Sequence, residues 1–304
     1  MTAPLAAAWR EGRVAALARD GSLFRRLDVG ADDPAPASRP GQFYLVGPGR
    51  PSDPPRDPPL LRPLSVLDES AGRPAFLFKV VGRGTAALAG LAPGDPLRLL
   101  GPLGTAFTAD GALPPVLLGG GVGVPPLCFL SRILSEAGRP HRVLFGFGTA
   151  DEAPRDLLDG LAADVEICTL DGSAGFAGNP VEKLRAGGAR EPALLQACGP
   201  AAMLDAVRAA ALPGDRVELS LEERMACGTG ICRGCVTPVA DGAGGWRYAA
   251  VCREGPVFDA ADLWTGPLED PADLEGAAGG ASGAATDHRA GGSAGSAGGE
   301  GGRA

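Results

Sequence analysis

With 304 residues the chain is long enough for roughly two or three domains, and 45% hydrophobic against 21% charged residues is the balance of a globular protein. Asp and Glu outnumber Lys and Arg by 36 to 28, which gives a formal net charge of -8. Nucleic acid is therefore excluded as a partner, because its phosphates require a basic face. Only two His are present, so we expect neither a histidine metal site nor a His-dependent catalytic triad.

The use of cysteine indicates a reducing compartment. Seven Cys are present, and a secreted disulfide-rich domain would be shorter and would begin with a signal peptide. The apolar segment 4–9 is too short for such a peptide. The uncharged stretch 111–131 contains four Pro and five Gly and would make a poor membrane-spanning helix. We therefore expect a cytoplasmic protein without a membrane segment.

Residues 10–110 are predicted to form short strands separated by Pro- and Gly-rich turns. The predicted strands are 41–46, 62–66, 75–81 and 96–100. This spacing is typical of an antiparallel β-barrel. The sequence therefore predicts a barrel as the first domain.

From residue 111 the pattern changes to alternating strands and helices, which is typical of a parallel sheet covered by helices. The predicted strands are 115–118, 142–147, 164–168 and 193–197. The predicted helices are 125–137, 155–163, 180–185 and 201–211. We therefore predict a Rossmann-like α/β domain over residues 111–217. A small Cys-rich domain is predicted over 218–266, and residues 267–304, rich in Gly, Ala and Ser, are predicted to be a disordered tail.

Four Cys in the predicted third domain form the most specific motif of the sequence. They are Cys227, Cys232, Cys235 and Cys252. The spacing C-x4-C-x2-C followed by a distant fourth Cys is that of plant-type ferredoxins, which hold a [2Fe–2S] cluster. Gly228, Gly230 and Gly234 would let the backbone N–H groups of the loop approach the sulfides.

The Cys motif has two alternative interpretations. A structural zinc ion is also held by four Cys, but zinc sites usually combine two close Cys pairs, and this chain has one C-x-x-C pair and two isolated Cys. Thiols without any metal are the third possibility. The spacing favours the [2Fe–2S] cluster.

A Gly-rich segment, 118–126, lies between a predicted strand and a predicted helix. Its glycines are Gly119, Gly120, Gly121 and Gly123. They would let the backbone approach a diphosphate, with N–H donors from the helix N-terminus. Pro126 occupies the third Gly position of the dinucleotide fingerprint, so an ordinary turn remains an alternative. Asp151 and Glu152 follow the second strand, where an acid could bond a ribose 2′-hydroxyl and disfavour NADP, although solvated loop charges account for them equally well.

Two motifs on the predicted barrel could contact a second nucleotide. They are Arg62-Pro63-Leu64-Ser65 and Gly82-Arg83-Gly84-Thr85. An Arg can neutralise a diphosphate, a Ser hydroxyl can bond a flavin ring edge, and a G-x-G-T turn can offer donors to phosphate. Each motif alone is more often an ordinary strand or turn. Their order ahead of an α/β domain and a ferredoxin-like loop favours the nucleotide interpretation.

Together these motifs resemble the electron-transfer subunits of type B dihydroorotate dehydrogenases, which are ferredoxin-reductase-like flavoproteins. The resemblance covers residues 10–266, and its most diagnostic segments are 220–228 and 251–259. The further segments that carry it are 41–43, 62–66, 81–85, 100–104, 119–125, 171–173 and 197–200.

The resemblance implies where the cofactors bind. FAD is expected in the barrel, and its expected contacts are Arg62, Pro63, Leu64, Ser65, Gly84 and Thr85. NAD is expected against Gly119, Gly120, Gly121 and Gly123, with Cys198 and Gly199 near the flavin. Leu170, Gly148 and Asn179-Pro180 depart from the family pattern. The loss of a basic residue at position 148 favours NAD over NADP, and Asn179-Pro180 is expected to alter a helix start.

The resemblance also implies the reaction. A partner subunit holding FMN would oxidise dihydroorotate to orotate, and electrons would pass through the cluster and FAD to NAD+ as a diffusible acceptor. No pyrimidine site and no catalytic side chain beyond the redox cofactors is expected on this chain. The four Cys are expected near the partner interface of a heterotetramer with two copies of each subunit.

Two competing functions remain open at this point. A related FAD and [2Fe–2S] reductase subunit could serve a sulfide dehydrogenase, sulfite reductase, hydrogenase or ferredoxin:NADP oxidoreductase. Four Cys ligands favour a subunit of a dihydroorotate dehydrogenase, because a carboxylate among the cluster ligands would indicate a subunit that serves another partner. A non-enzymatic zinc module would instead be colourless, and the three ordered nucleotide motifs would then be coincidental.

Overall fold

The computed structural model describes residues 8–30, 37–54, 57–70 and 72–268. Beyond position 268 the predicted tail lies outside the described residues. The first strands are β1 (Ala8–Asp20), β2 (Phe24–Gly30), β3 (Phe43–Pro48), β4 (Arg62–Ser70), β5 (Arg73–Lys79) and β6 (Pro96–Leu103). They close into an antiparallel barrel in the order β1-β2-β5-β4-β3-β6. All four strands predicted for this region are present.

The barrel interior is filled by apolar residues at alternate strand positions. Along β2, Leu27 and Val29 are buried in the barrel core, while Asp28 between them is partly exposed. Inside the barrel the rings of Tyr44 and Phe76 meet edge to face, with centroids 5.7 Å apart. The barrel wall is thereby fixed at β3 and β5.

The segment predicted as a G-x-G-T turn instead leads into a helix, α1 (Arg83–Ala89). The hydroxyl of Thr85 accepts hydrogen bonds from the backbone N–H groups of Val81 (3.0 Å) and Gly82 (3.2 Å) and donates to the Gly82 carbonyl. The hydroxyl thus satisfies N–H groups at the helix start, and the following Ala- and Leu-rich residues favour helix.

The second half of the chain forms a seven-stranded sheet with helices. Its first six strands along the chain are β7 (Pro115–Gly120), β8 (Arg142–Phe147), β9 (Val165–Thr169), β10 (Phe176–Ala177), β11 (Leu194–Cys198) and β12 (Arg216–Ser220). The helices are α2 (Val124–Glu136), α3 (Arg155–Asp159), α4 (Pro180–Ala186) and α5 (Ala201–Ala209). Helix α3 is shorter than predicted because Gly160 caps it.

The C-terminal segment returns to this sheet. It contains β13 (Val236–Ala240), β14 (Trp246–Ala250), α6 (Val251–Glu254) and β15 (Val257–Asp259). β13 and β14 form a separate hairpin, whereas β15 pairs antiparallel with β12. The sheet order is β10-β9-β8-β7-β11-β12-β15. The predicted domain boundary between 217 and 218 falls inside β12, so the division into domains stays a prediction.

Helix α2 joins the barrel to the sheet. Leu127 and Leu130 of this helix share one core cluster with Phe24 and Leu67 of the barrel. The described residues up to Trp264 pack as one compact unit. The nucleotide motifs of the barrel and of the sheet are therefore held at fixed relative positions.

Asp215 anchors the end of the sheet where β11 and β12 begin. Its side chain is fully buried, pairs with Arg190, and accepts hydrogen bonds from the N–H groups of Ala193 (2.8 Å) and Leu212 (2.7 Å). Burial opposes ionisation, but the Arg190 guanidinium and these N–H donors hold the pKa of Asp215 below its usual value.

We expect Arg190→Ala to lower the free energy of unfolding by about 3 kcal/mol at pH 7, because it leaves a buried carboxylate without its counter-ion. The carboxylate contributes stability above the pKa of unfolded Asp, about 3.9, and this contribution is lost as pH falls through the lower folded value. The difference between variant and wild type should therefore shrink below about pH 4.

Urea unfolding at pH 7 and at about pH 3.5 checks this expectation. The control is Arg185→Ala on the exposed side of α4, which should change stability by less than about 0.5 kcal/mol. An equal effect of both variants, or a difference independent of pH, would contradict the proposed role of the ion pair.

Candidate functional site

The four Cys of the ferredoxin-like motif converge beside the barrel. Three lie on the loop between β12 and β13, and Cys252 is the second residue of α6. The loop packs closely on the barrel, because a Cβ at Gly228 would lie 2.8 Å from a Leu45 methyl carbon. Cys235 and Cys252 are buried, whereas Cys232 is exposed. The loop and α6 thus present one exposed and two buried thiols.

The thiols are close enough to affect one another's pKa. Cys232 is a neighbour of Cys227, and Cys235 and Cys227 are both neighbours of Cys252. Within the described residues, no group of three or more His, Cys, Asp or Glu side chains surrounds a single ion position. A [2Fe–2S] cluster has two irons, each holding two thiolates, so four neighbouring thiols fit this cluster.

Backbone N–H groups point at one of the sulfurs. The N–H groups of Thr229 and Cys232 each donate to Cys227 Sγ at 3.4 Å. Burial opposes ionisation, but these donors lower the pKa of Cys227 to about 6. Burial raises the pKa of Cys252 to about 12, and the neighbouring Cys235 and Cys227 add to this rise. Cys227 is therefore a thiolate at neutral pH, ready to bind a metal.

Glycine shapes this loop as the sequence predicts. Gly228 and Gly230 have φ angles of 69° and 84°, in the left-handed region that other residues rarely adopt. Gly234 does not have a positive φ, and a Cβ there would lie 3.6 Å from Cys232 Sγ. Two of the three glycines are thus needed for backbone geometry.

A cavity of about 90 Å³ lies between the barrel and the sheet, beside the Cys loop. The predicted residues that line it are Pro63, Leu64, Ser65, Gly123, Cys198 and Gly199. Met225, two residues before Cys227, lines the same cavity. The structure therefore brings four segments to one place. They are the barrel motif 62–65, the Gly-rich turn 119–123, the Cys-Gly-Pro turn 198–200 and the loop between β12 and β13, called the Cys loop below.

Arg62 and Gly84 meet at the outer surface of the barrel. A Cβ at Gly84 would lie 2.6 Å from Arg62 Cδ and from Arg62 Nε. Arg62 Nη2 donates to the Leu60 carbonyl at 2.7 Å, but its buried Nε has no hydrogen-bond partner among the described residues. A buried donor without a partner is costly, so the site fits an anionic group such as a diphosphate. The Thr85 hydroxyl is already engaged at the start of α1, and its contact with phosphate stays a prediction.

The Gly-rich turn contacts the Cys-Gly-Pro turn where neighbouring strands diverge. β7 lies between β8 and β11, and a Cβ at Gly123 would lie 2.3 Å from the Cys198 carbonyl oxygen. A Cβ at Gly199 would lie 3.1 Å from Gly120 N. Ligands of open α/β sheets bind at such a point of divergence.

We expect Gly123→Ala to cost at least about 3 kcal/mol of stability or to abolish folding with bound flavin, since the new methyl would overlap backbone rather than a movable side chain. Thermal unfolding and the amount of flavin retained after purification check this. The control is Gly90→Ala, whose nearest neighbours would be 3.6 Å away, and it should change little. Similar behaviour of the two variants would contradict the close contact.

A second cavity, of about 420 Å³, lies at the carboxyl ends of β7, β8 and β9. Gly120, Gly121, Gly148, Leu170, Asn179 and Met203 are among its lining residues. Every side chain that lines it is uncharged. Asn179 Oδ1 accepts hydrogen bonds from Val181 N and Glu182 N, so the Asn179-Pro180 departure starts α4 with a side-chain N-cap. This cavity has the size and position of a nucleotide site.

Sequence reasoning missed several residues at the 90 Å³ cavity between the barrel and the sheet. They are Phe43, Glu222, Glu223, Met225 and Pro256. Their signal was continuity with recognised motifs, because Phe43 follows Gly41-Gln42 and the segment 222–225 closely precedes the first Cys of the motif. The sequence pattern did not indicate that Phe43, the segment 222–225 and Pro256 would line one cavity.

A known family model matches the segment that contains the four Cys. Residues 222–264 match a family model described as the iron–sulfur cluster binding domain of dihydroorotate dehydrogenase B. In the described part of the chain, no helix has both the length and the hydropathy of a membrane span.

Two solved structures confirm the predicted fold. The NADH-dependent reduced ferredoxin-NADP oxidoreductase aligns with a TM-score of 0.71 and 24% identity, over 83% of this chain and 89% of that one. The ferredoxin reductase of carbazole 1,9a-dioxygenase aligns with a TM-score of 0.57 and 24% identity, over 68% and 66% of the two chains.

Curated relatives extend the similarity over most of the sequence. The dihydroorotate dehydrogenase B (NAD(+)) electron transfer subunit of Listeria monocytogenes serovar 1/2a is 38% identical over 229 residues, which cover 74% of this chain and 87% of the relative. The corresponding subunit of Bacillus caldolyticus is 38% identical over 230 residues, which cover 74% and 86%. The chain therefore belongs to the family of dihydroorotate dehydrogenase B (NAD+) electron transfer subunits.

Proposed function

We propose that this chain accepts electrons from the FMN of a dihydroorotate dehydrogenase catalytic subunit and delivers them to NAD+ in pyrimidine biosynthesis. One observation carries the proposal: the loop that bears the first three Cys of the motif borders, through residues 222–225, the same cavity as the barrel motif and the Cys-Gly-Pro turn. The names of the curated relatives support the same partner and the same acceptor.

Three binding regions support this function. The four Cys of the motif would hold the [2Fe–2S] cluster, Arg62 to Ser65 and Gly84 would hold FAD, and the turns at 119–123 and 198–199 would hold NAD+. When bound, the cluster exchanges single electrons, the flavin exchanges single or paired electrons, and nicotinamide takes a hydride. FAD therefore stands between the other two.

The chain's own residues bind and insulate these groups. Arg62 supplies a positive charge for a diphosphate, together with an Nε–H that has no hydrogen-bond partner in the described part of the chain. Phe43, Leu64 and Leu77 give the cavity between the barrel and the sheet an apolar wall that limits access of water. Burial raises the pKa of Cys198 to about 12, so this residue lines the cavity as a neutral thiol.

The partner and compartment follow from the same proposal. Ile231, 85% exposed, and the exposed Cys232 stand at the tip of the Cys loop, where a catalytic subunit would dock. We propose a heterotetramer with two copies of each subunit. The seven Cys, all of them free, support a reducing cytoplasm.

The test is an anaerobic visible spectrum of the chain, purified with and without the flavin-binding dihydroorotate dehydrogenase encoded in its own host. For the complex, dihydroorotate should bleach the flavin and cluster bands, and added NAD+ should then yield NADH. The chain alone should respond to NADH but not to dihydroorotate. If the complex bleaches with NADH only, the partner is wrong, and a colourless protein would overturn the whole proposal.

A further inference from the structure

We propose that Arg233, which lies between the second and third Cys of the motif, is a positioning residue that braces the Cys loop against β14. The brace holds the exposed thiol of Cys232 in place for the cluster. The inference rests on the proposed function, because it assumes that the four Cys hold a [2Fe–2S] cluster. It goes beyond the ligands themselves, since Arg233 supplies no atom to the iron.

The backbone of Arg233 has a conformation that is unusual for a residue with a side chain. Its φ angle is 55°, in the left-handed region, and every other described residue with a positive φ is a glycine. This conformation costs energy in a residue with a Cβ, and it persists only where surrounding contacts hold it. The next residue, Gly234, could adopt it without that cost, yet its φ is not positive. The arrangement therefore indicates that the Arg233 side chain makes a contact that outweighs the strain.

That contact is with the open edge of β14. Arg233 Nη2 donates a hydrogen bond of 3.2 Å to the carbonyl oxygen of Tyr248. Pro238 lies opposite Tyr248 in the hairpin and turns its own carbonyl outward, to the N–H of Trp264. Opposed residues of an antiparallel pair share this orientation, so the Tyr248 carbonyl points out of the hairpin on the other side, where no strand of the described chain pairs with it. Arg233 thus satisfies an acceptor that the hairpin leaves free.

The part of the Cys loop that contains Cys232 has few other anchors. In the described part of the chain, the Arg233 contact is the one hydrogen bond by which a side chain of residues 228–234 reaches a segment outside the Cys loop. Cys235 is held differently, because its backbone carbonyl accepts a hydrogen bond of 2.8 Å from Val251 N. The third Cys of the motif would therefore keep its position without Arg233, whereas the second would lose its brace.

The exposure of Cys232 gives the brace a chemical consequence. An iron–thiolate bond at the surface is open to water and to competing ligands, so its lifetime depends on how firmly the loop holds the sulfur. Removing an outer partner of a metal ligand typically changes metal affinity about 10–100-fold. We expect Arg233 to act near the lower end of this range, because it acts through the backbone of the loop and not through a hydrogen bond to the sulfur.

Release of iron from the FAD- and cluster-loaded full chain tests the inference without any turnover. The chain is reduced with dithionite, and bathophenanthroline disulfonate captures the released ferrous iron. Arg233→Ala should release iron about tenfold faster than the wild type and should broaden the EPR signal of the reduced cluster. Arg233→Lys keeps a long cationic donor and should recover most of the wild-type behaviour. Flavin content and the midpoint of thermal unfolding should stay at wild-type values, which separates positioning from a general loss of folding.

Two further variants separate the side-chain contact from backbone conformation and from charge. Arg233→Gly adopts a positive φ without strain but cannot reach the Tyr248 carbonyl, so it should release iron as fast as Arg233→Ala. Arg247→Ala removes an exposed Arg of β14 that pairs with Glu254 at 2.6 Å, and it should leave iron release within about twofold.

Three results would overturn the inference while a normal wild-type spectrum leaves the proposed function intact. The first is wild-type iron release in Arg233→Ala. The second is wild-type iron release in Arg233→Gly, because backbone conformation alone would then account for the residue. The third is an equal effect of Arg247→Ala, which would assign the result to charge. A wild-type chain without a cluster would refute the proposed function, and the inference would fall with it.

Discussion

Cys252→Ser is expected to lower NAD+ reduction by dihydroorotate more than about 100-fold in the complex with the catalytic subunit, because even outer partners of a metal ligand cost about 10–100-fold when they are removed. Cys252 is 1% exposed and interacts with Cys235 and Cys227. A Ser hydroxyl in its place remains neutral and gives the cluster no thiolate.

Cys252→Ser is expected to lower the dihydroorotate-linked rate without lowering the oxidation of NADH by an artificial acceptor. Oxidation of NADH by ferricyanide needs the flavin and the nucleotide site but not the path to the partner, so Cys252→Ser should retain most of that rate. Iron content per chain and the visible spectrum measure the cluster directly. The matched control is Cys168→Ser, which changes a buried Cys of β9 outside the motif and should keep iron, flavin and both rates.

Two results would contradict the ligand assignment. Retention of iron together with a normal dihydroorotate-linked rate in Cys252→Ser would exclude Cys252 as a ligand. Loss of both rates together with the flavin would show that Cys252 supports folding of the whole unit, not only the cluster.

Local sequence patterns predicted most strands of the barrel and of the sheet. They failed for segments that become strands only because of their tertiary packing. The strand 142–147 was predicted with the bounds that β8 has, since its apolar run is buried in the sheet. β1 was not predicted, because its one apolar run, 14–18, is mostly Ala, which is depleted in strands, and exposed Arg13 and Arg19 flank it. β15 has only three residues and becomes a strand because it pairs with β12.

The residues of the candidate site also fall into two groups: those predicted from local sequence patterns and those that only the tertiary fold brings together. The Cys spacing is visible in the sequence itself, so four Cys could be predicted as cluster ligands from sequence alone, and that assignment stays a prediction. The cavity beside them is built by residues far apart in the chain, such as Phe43 of the barrel and Glu223 before the Cys loop. Only the tertiary fold brings these together, and the same holds for the contact between Gly84 and Arg62.

The second large effect is expected from Arg62→Ala, which should weaken FAD binding by about 10- to 100-fold. A hydrogen bond to a charged group contributes about 1.5–3 kcal/mol, and about 1.4 kcal/mol corresponds to tenfold in affinity. Arg62 Nε is buried without a partner among the described residues, so an anion that reaches it would satisfy a donor that is otherwise costly to bury.

Titration of FAD into deflavinated chain, followed by quenching of flavin fluorescence, measures the loss. Arg73→Ala removes an exposed Arg of β5 in the same barrel and should leave the affinity within about twofold, since an exposed single charge is screened. Retained iron in both variants shows that the Cys loop is still folded against the barrel.

Gly84→Ala distinguishes a charge effect from a packing effect at the same place. The new methyl would lie 2.6 Å from Arg62 Nε and must push the guanidinium aside, while the charge itself remains. We expect a smaller loss than in Arg62→Ala, about tenfold, with weaker dependence on salt than the wild type shows, because the displaced guanidinium no longer contacts the diphosphate. Unchanged affinity in both variants would mean that the diphosphate lies elsewhere. Arg62 Nε, which has no hydrogen-bond partner among the described residues, would then require another anion to satisfy it.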